Sequence, residues 1–427
     1  MMSLRSTTFL LAGFLLSLIG LQAHACSMYK VTVNGKTMVG CNHDTWLITP
    51  RIWFETTGYG AGFTGARLDG ANGFAPQSGM NVHGLAFSRL SSATPENQAA
   101  PNKKQVVNPT LYLKDILHRC KTVDEVKNYV DQYDHSFFSE DVFIYVDRSG
   151  RYLVVEPYTT TLGQEAKYVL ANFCPSQVSD FSSIKQPRYV NGSSFLKNKI
   201  DTSLSFCTAL SDTMHVCRKK IGDGTLITSI WDLKAGKTNL FFYHDYSHTV
   251  QFDLKTELAK GDHILDMTSL FPPNKEFKAL ADFKTPITSE AVDLFLRGCF
   301  CLFFFSAIFF GIGYFINRKS TKYAYIKLLL FPLSLLLMYY SLVLATEVNI
   351  FYFPAPYKDY KPSMVTVASY IPFLLLIILI PMLQLNRKII VERVWGWFPK
   401  LMLTLNSLTY IALIFLFMYW GLYDVFS

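Results

Sequence analysis

The sequence predicts an α+β domain followed by four membrane-spanning helices, and three observations support this fold class. A short apolar run near the N-terminus ends in Ala23-His24-Ala25, directly before Cys26. Residues 26–271 combine hairpin patterns with amphipathic helix patterns, which is typical of antiparallel sheets layered with helices. Four long apolar runs then occupy most of residues 294–427.

The N-terminal run has the three parts of a secretory signal. Arg5 provides a basic start, residues 8–22 are mostly apolar, and alanines stand at the third and first positions before Cys26. The run is shorter than the roughly 20 residues that a membrane-spanning helix needs. We therefore expect residues 1–25 to be a signal peptide that is cleaved directly before Cys26.

The C-terminal runs are each long enough to cross a bilayer. They cover residues 294–316, 328–346, 363–385 and 401–423. The loops 317–327 and 386–400 are rich in lysine and arginine, and such loops stay in the cytoplasm. This pattern predicts a multi-pass membrane protein whose N-terminal domain, residues 26–271, lies on the extracytoplasmic side. Residues 272–293, which contain three prolines, are the predicted linker.

The charge of the chain does not indicate a nucleic-acid partner. Its 40 Lys and Arg exceed its 32 Asp and Glu, for a formal net charge of +8. Residues 292–427 hold 11 basic and 5 acidic residues, so most of the excess belongs to the membrane region. Within 298–316, 328–346 and 363–385 the sequence has no Asp, Glu, Lys, Arg or His, and ion pathways need such groups. The helices are therefore interpreted as a membrane anchor.

Three hairpin signals mark the predicted domain. Asn34-Gly35 is the strongest of them, because this dipeptide adopts the left-handed turn that joins two antiparallel strands. The other two signals cover residues 141–158 and 224–246, and they turn at Ser149-Gly150 and Ala235-Gly236. These three segments predict antiparallel sheet.

Two helix starts lie between the hairpins. Pro109 follows Asn108, and proline is tolerated at the first position of a helix. Thr122 and Glu125 have the spacing of a capping box, in which each side chain bonds the backbone at the start of a helix. Helices packed on antiparallel sheets complete the α+β prediction.

Two further expectations concern a loop and the cysteines. The glycine-rich segment 58–74 lacks the Lys-Ser/Thr pair of a phosphate loop, and we expect a flexible loop near the mouth of the site. Among the eight cysteines, Cys207 and Cys217 are the nearest exported pair, although sequence does not establish a disulfide.

Cleavage before Cys26 would give one residue two reactive groups. A free α-amine has a pKa of about 7.7–8.0, so part of it is neutral near pH 7 and acts as a base. A thiol beside such a base is readily activated as a nucleophile. The sequence therefore predicts a nucleophile and its base on Cys26 alone.

The first hairpin brings further groups to Cys26. A two-residue turn at Asn34-Gly35 pairs residues whose numbers sum to 69, which places Cys26 opposite His43. Asp44 comes next, and its carboxylate would hold the α-ammonium. Strict alternation points Asp44 to the other face of the strand, so a bulge must turn it, and His43 is the rival candidate.

A series of motifs extends this pattern along the domain. Cys26 is followed by Gly40-x-Asn42-x-Asp44, SGMNVHGLA at 78–86, FIYVDRSGRYLVVEPY at 143–158, VLANFCP at 169–175, Pro187-Arg188-Tyr189 and SIWDLKAGKTNLFFY at 229–243. Their order resembles the choloylglycine hydrolase and penicillin V acylase family of N-terminal-nucleophile (Ntn) hydrolases. The resemblance covers most of residues 26–255 and no part of the membrane region. It implies an αββα sandwich, a small N-acylated amine as substrate, and neither cofactor nor metal.

The resemblance implies catalytic roles for four residues. Cys26 would be the nucleophile and Asp44 would hold its amine. Asn172 would donate its side-chain amide to the oxyanion of the tetrahedral intermediate. Arg188 would support the cysteine and the charge of the site.

Three more positions are expected to contribute, although they match the family less well. The family's arginine three residues before the aspartate is Cys41 in this chain. The second oxyanion position falls on Ser91, where a backbone N–H would serve. Asn81 is expected to support the site together with Cys41. The segment between Asn172 and Arg188 is short compared with members that use a hairpin there to form tetramers, so the oligomeric state stays open.

Two other functions remain open from the sequence. The same Cys26 thioester would serve an acyltransferase if an amine replaced water. Alternatively, Cys26 would carry lipid in a non-catalytic lipoprotein that binds acylated ligands, although Ala23 and His24 fit a lipoprotein signal poorly. For the enzyme, a domain tethered to a bilayer favours substrates with an amphipathic acyl chain.

Overall fold

The structure is a computed structural model that describes residues 26–95, 103–217, 224–317, 322–352 and 364–424. The predicted signal peptide, residues 1–25, lies outside the described residues. The rest divides into two compact units at Asp282 and Phe283. The predicted linker 272–293 therefore contains the last helix of the first unit.

The first unit contains two large antiparallel sheets. Its strands are β1 (Ser27–Val33), β2 (Lys36–Asp44), β3 (Arg51–Glu55), β4 (Ala61–Gly65), β5 (Arg67–Leu68), β6 (Phe74–Ala75), β7 (Ser78–Asn81), β8 (Ala86–Ser91), β9 (Lys104–Gln105), β10 (Tyr133–Asp134), β11 (Asp141–Val146), β12 (Tyr152–Val155), β13 (Thr160–Gly163), β14 (Lys167–Leu170), β15 (Thr225–Asp232), β16 (Lys237–Phe242), β17 (Asp245–Asp253) and β18 (His263–Asp266). Sheet I has the order β14-β1-β2-β15-β16-β17, and sheet II has the order β13-β12-β11-β8-β7-β4-β3-β18.

Helices pack around both sheets. They are α1 (Pro109–Arg119), α2 (Val123–Val130), α3 (Pro187–Phe195), α4 (Leu204–Met214), α5 (Leu254–Leu258) and α6 (Lys275–Asp282). Buried residues of α1 and α2 pack on sheet II, and those of α3 and α4 pack on sheet I. The sheets face each other, as the 2.9 Å bond between the Ser78 and Ser229 hydroxyls illustrates. This arrangement is αββα, so the predicted fold class is confirmed.

The first hairpin has the predicted register. Asn34 and Gly35 have φ angles of 51° and 70°, which only a few residue types adopt readily. Val33 pairs with Lys36, and the ladder continues to Ser27 opposite Asn42. The pairing places Cys26 directly before β1, at the open end of the hairpin.

The predicted helix starts are also confirmed. The Asn108 side chain accepts a 3.0 Å hydrogen bond from the backbone of Leu111, and Pro109 is the first residue of α1. The Thr122 hydroxyl accepts a bond from the Glu125 backbone, as in a capping box. The Glu125 carboxylate reaches back one residue further than that motif requires, to the Lys121 N–H.

One of the sequence expectations is wrong. The glycine-rich segment 58–74 is not a flexible loop, because it forms strand β4 inside sheet II and the short hairpin β5–β6. Gly65 in β4 shows why glycine is needed there: a Cβ atom would lie 2.5 Å from the Ala75 carbonyl oxygen. The pairing of Cys207 and Cys217, which the sequence left open, is not present as a disulfide: Cys207 on α4 is buried in the core cluster under sheet I, while Cys217 is exposed.

Among its described residues, the second unit contains four helical segments long and apolar enough to cross a membrane. They are Glu290–Ile316, Ala324–Thr346, Met364–Val391 and Trp397–Tyr419. The corresponding helices are α7 (Glu290–Asn317), α8 (Ala324–Thr346), α9 (Met364–Ala368), α10 (Ile371–Val391) and α11 (Trp397–Tyr419). The buried Asn406 amide donates a 2.8 Å bond to the Ser306 hydroxyl and so links α11 to α7. Hydrogen bonds between buried polar side chains help to hold neighbouring helices together when the outer surfaces of both helices are apolar.

Candidate active site

Cys26 is buried where the open end of the first hairpin meets sheet II. The side-chain amide of Gln77 donates to its Sγ atom at 3.3 Å. The thiol in turn is 4.0 Å from the backbone carbonyl oxygen of Asp44. Gln77 directly precedes β7, so the thiol is held between one residue of each sheet.

The Asp44 carboxylate is fixed from two sides. Oδ2 accepts a 2.9 Å bond from Nη1 of Arg188, and Oδ1 accepts a 2.6 Å bond from the Thr225 hydroxyl. The expected irregularity lies in the partner strand, because the β15 register shifts between Thr225 and Ile227, opposite the end of β2. The backbone of Asp44 therefore contacts the Cys26 thiol while its side chain turns toward α3.

Asn172 lies two residues after the end of β14 and connects two elements. Its amide nitrogen donates to the carbonyl oxygen of Ser91 at 2.9 Å and to the Ser91 hydroxyl at 3.1 Å. Its backbone exchanges two bonds with the Gln186 side chain, at 3.0 and 2.9 Å. Ser91 thus holds the Asn172 amide through its carbonyl and hydroxyl oxygens.

These contacts close into a ring around Cys26. Two members of the ring, Arg89 and Ser91, are two residues apart on β8, and Gln77 donates to the Arg89 carbonyl at 2.5 Å. Gln186 and Arg188 are likewise two residues apart, at the start of α3. The order around the ring is Cys26, Gln77, Arg89, Ser91, Asn172, Gln186, Arg188 and Asp44. The four residues with predicted catalytic roles, and Ser91, are therefore brought together.

Burial is the main influence on the Cys26 thiol. Removal from water raises its pKa well above the ordinary value, and the negative charge of Asp44 raises it further. The hydrogen bond to the Asp44 backbone and the positive charges of Arg188 and Arg89 lower it by less. The thiol is therefore protonated at neutral pH until a base removes its proton.

Arg89 brings positive charge to the site from β8. Its guanidinium forms two 2.8 Å bonds with the Asp141 carboxylate, so much of its charge is already balanced. The ion pair raises the pKa of Arg89, which keeps the guanidinium charged although it is buried. The positive charge of Arg89 thus acts on Cys26 from β8, whereas the position where the sequence resemblance expects an arginine holds Cys41.

Cys41 and Asn81 have surroundings of their own, apart from the ring. The Cys41 thiol lies between the sheets near the hydroxyls of Ser78, Ser88 and Ser229, and burial raises its pKa to about 12. The Asn81 amide donates to two carbonyl oxygens of α1 and its C-terminus, at 2.8 and 2.7 Å. Its oxygen accepts from the backbone of the following turn. Both residues therefore support packing.

Sequence reasoning missed four members or neighbours of the ring. Gln77 and Gln186 each directly precede a motif that was recognised, so a search one residue wider would have included them. Arg89 precedes Ser91 by two residues on one strand, and strand alternation would have grouped the pair. Thr225 had no local signal, because its contact with Asp44 joins residues far apart in sequence.

Comparisons with known proteins give matches only among solved structures. Neither a protein-family model nor a curated protein matches the chain. A variant of conjugated bile acid hydrolase from Clostridium perfringens has a TM-score of 0.44 and 16% identity, and the match covers 58% of this chain and 98% of that one. A second mutant of that hydrolase has a TM-score of 0.43 and 15% identity, over 59% and 97%. Penicillin V acylase from Agrobacterium tumefaciens has a TM-score of 0.44 and 14% identity, over 57% and 91%. These are the two kinds of enzyme that the sequence motifs resemble.

Proposed function

We propose that this protein is a membrane-anchored cysteine amidase of the Ntn type. It hydrolyses the linear amide bond of a small N-acylated amine. Cys26 becomes the nucleophile when residues 1–25 are removed, and its own α-amine is the base. The ring of side chains around Cys26 holds the nucleophile and the groups that stabilise the intermediate.

One observation supports this proposal above all. The residue that the predicted cleavage makes first is buried between two sheets, with its thiol 3.3 Å from Gln77 Nε2 and 4.0 Å from the Asp44 carbonyl oxygen. A surface cysteine that served only for lipid attachment would need neither burial nor polar partners. The surroundings of Cys26 favour chemistry at its sulfur atom.

The first step requires the α-amine because the buried thiol keeps its proton. The neutral amine takes the thiol proton and becomes an ammonium group, which the Asp44 carboxylate stabilises. The thiolate attacks the carbonyl carbon of the substrate and forms a tetrahedral oxyanion. Arg188 and Thr225 keep the Asp44 carboxylate in place during this step, through their bonds of 2.9 and 2.6 Å.

The oxyanion needs a donor, and Asn172 supplies it. One N–H bond of the Asn172 amide stays on the Ser91 carbonyl, while the other turns from the Ser91 hydroxyl to the oxyanion. The ammonium then gives its proton to the leaving nitrogen as the carbon–nitrogen bond breaks. The products of this half-reaction are a free amine and a thioester on Cys26.

Water completes the cycle. The α-amine removes a proton from water, whose oxygen attacks the thioester carbonyl, and the carbon–sulfur bond breaks. The sulfur recovers a proton and the carboxylic acid leaves. An acceptor amine in place of water would form a new amide, so the products separate hydrolysis from acyl transfer.

The proposal is tested with the full-length protein in detergent micelles. It is incubated with a panel of N-acyl amides of different chain length, with and without an added amine, and products are identified by mass spectrometry. We expect free acid and free amine, and a trapped acyl adduct on a chain that begins at Cys26. A diacylglycerol adduct on Cys26, or a mature chain that begins upstream of it, would overturn the proposal.

The predicted topology belongs to the same proposal. The basic loops favour a cytoplasmic position for 317–327 and 386–400, which leaves the amidase domain on the extracytoplasmic side. Protease added outside intact cells or spheroplasts should then digest the domain and spare a fragment with the four helices. Protection of the domain in intact cells, lost after lysis, would show the opposite orientation.

A further inference from the structure

A group of potential metal ligands lies in the first unit, apart from the ring around Cys26. The Cys217 sulfur, a ring nitrogen of His244 and a carboxylate oxygen of Glu276 all lie within 4.8 Å of one another. Cys217 follows α4, His244 is in the turn between β16 and β17, and Glu276 is in the first turn of α6. Three segments distant in sequence thus bring a thiol, an imidazole and a carboxylate together.

His244 is the least exposed member of this group. Its side chain is only 9% exposed, and Nε2 lies 2.6 Å from a Glu276 oxygen. Nδ1 is buried and has no hydrogen-bond partner among the residues that the structure describes. A buried ring nitrogen without a partner is unfavourable in a protein interior, whereas a metal ion nearby would use such an imidazole.

The backbone around His244 is held firmly. His244 and Tyr243 have φ angles of 45° and 51°, and the His244 N–H donates a 3.0 Å bond to the Thr225 carbonyl. The His244 ring stacks on His215 at 5.8 Å between centroids, with an angle of 14°. These contacts fix the position of the imidazole without using its Nδ1 atom.

The other two ligands are held by separate contacts. Cys217 forms an isolated β-bridge with Gly224. The Glu276 backbone donates a 2.9 Å bond to the Asn274 side chain, and Phe277 packs edge-on against Tyr243. Cys217 and Glu276 are exposed, so an ion has a path from solvent.

We propose that Cys217, His244 and Glu276 bind one Zn²⁺ ion. A thiolate and an imidazole are ligands that Zn²⁺ prefers, whereas Ca²⁺ and Mg²⁺ take oxygen ligands. Three protein ligands leave the fourth tetrahedral position to water. The thiol loses its proton to solvent on binding, and no electron transfer is involved. The sequence predicted no metal site, because the three residues share no local motif.

The site is adjacent to an element that supports Asp44. The Thr225 hydroxyl donates to Asp44 and accepts a bond from the backbone N–H of Val216, the neighbour of Cys217. The Thr225 backbone donates to the Val216 carbonyl and accepts the His244 N–H at its own carbonyl. A bound ion would therefore connect three segments: Cys217, which precedes Thr225 in the chain, His244 in the turn between β16 and β17, and Glu276 in α6. We expect the ion to stabilise the fold of the first unit.

The test uses full-length protein with a Cys26→Ala background and no histidine tag. This substitution removes the thiol of the candidate active site, so zinc binding is measured apart from the proposed amidase function. Protein treated with a chelator is titrated with Zn²⁺, and alkylation of each cysteine by iodoacetamide is followed by peptide mass spectrometry. We expect one equivalent to bind and the labelling rate of Cys217 to fall at least tenfold.

Three substitutions and two controls decide the result. Cys217→Ser, His244→Gln and Glu276→Gln should each weaken zinc binding at least tenfold. Cys301→Ser and His248→Gln change an exposed cysteine and an exposed histidine elsewhere, and should leave binding unchanged. Thermal unfolding with and without Zn²⁺ shows whether each variant is folded. Unchanged zinc binding in a folded Cys217→Ser variant, or no protection of Cys217 in the parent, overturns the proposal.

Discussion

Nη1 of Arg188 lies 2.9 Å from Oδ2 of Asp44, and the two side chains are only 15% and 1% exposed. The pair joins the first turn of α3 to the last residue of β2. Because the backbone carbonyl of Asp44 also contacts the Cys26 thiol, this ion pair links the helix layer to the candidate nucleophile. Removing one partner of a buried ion pair leaves the other without compensation, so this contact gives a direct test of the site.

Asp44→Asn keeps the shape of the side chain and removes its charge. The amine of Cys26 then loses its counter-ion and Arg188 loses its partner. We expect kcat to fall about 10²–10⁴-fold, the usual effect of losing acid–base assistance. Asp232→Asn, which breaks an ion pair with Lys36 at the far end of the hairpin, should leave kcat unchanged. Equal activity of Asp44→Asn and wild type would remove Asp44 from the mechanism.

The proposed role of the Cys26 α-amine as the base is tested by placing the free amine on a different residue. Insertion of one glycine between Ala25 and Cys26 keeps the thiol but places the free amine on another residue. We expect hydrolysis to disappear, and acyl-adduct formation with it, because no base then reaches the buried thiol. Cys26→Ser keeps the amine in place and should retain at most a trace of activity. An active insertion variant with a confirmed N-terminal glycine would contradict a mechanism based on the terminal amine.

Two buried asparagines provide a matched pair. Asn172→Ala removes the proposed oxyanion donor, and kcat should fall about 10²–10³-fold with a small change in KM. Asn81→Ala removes an amide that bonds four backbone groups, and the folded state should lose on the order of 3 kcal/mol with kcat per folded molecule unchanged. Steady-state kinetics and thermal unfolding distinguish the two effects. If Asn81→Ala lowered kcat and Asn172→Ala lowered only the stability, Asn81 rather than Asn172 would be the oxyanion donor.

Gly40 supports the hairpin that carries Cys26. A Cβ atom at this position would lie 2.2 Å from the ring of Tyr29, whose hydroxyl donates to the Cys207 carbonyl at 2.6 Å. Gly40→Ala must therefore displace a buried ring, and we expect a loss of about 1–3 kcal/mol with a lower Tm. Gly35→Asn is the control, because the turn position is open and asparagine adopts positive φ. A Tm for Gly40→Ala equal to wild type would show that Tyr29 moves freely.

His135 predicts how stability depends on pH. Burial, with a smaller effect of the nearby Lys103 charge, lowers its pKa to about 4, and Nε2 lies 2.6 Å from the Tyr112 hydroxyl. In the unfolded chain the pKa is about 6.5, so acid favours unfolding. This contribution is complete above pH 6.5 and is lost as the pH falls toward 4, by about 3 kcal/mol. Denaturant unfolding of His135→Gln should show a shallower loss across this range than wild type.

Local signals in the sequence were sufficient for the secondary structure of the hairpin. The register from Val33–Lys36 to Ser27–Asn42 follows from the Asn34-Gly35 turn, and the neighbouring residues contain everything that the turn requires. The helix starts at Asn108 and Thr122 were predictable for the same reason, since each cap bonds a residue three positions ahead. Apolar length alone identified the four long helices.

Glycine patterns were misleading where packing decided the structure. Segment 58–74 has the composition of a loop, but β4 lies between β3 and β7 in sheet II. Its glycines are needed because neighbouring backbone and rings approach closely, as at Gly62, where a Cβ would lie 3.1 Å from the Phe54 ring. Composition alone does not distinguish a glycine that is needed for its backbone conformational freedom from one that is needed because it has no side chain.

The sequence by itself determined the place of Cys26 at the start of the first hairpin and the four long apolar helices, because each depends on residues close together in the chain. Only the tertiary structure decided that Gln77, Arg89 and Gln186 complete a ring with Asp44 and Asn172. Those contacts join segments that meet only when the two sheets face each other and α3 packs on them. The same packing brings Cys217 to Glu276. Side-chain partnerships of this kind depend on the relative positions of whole elements, and no local pattern encodes them.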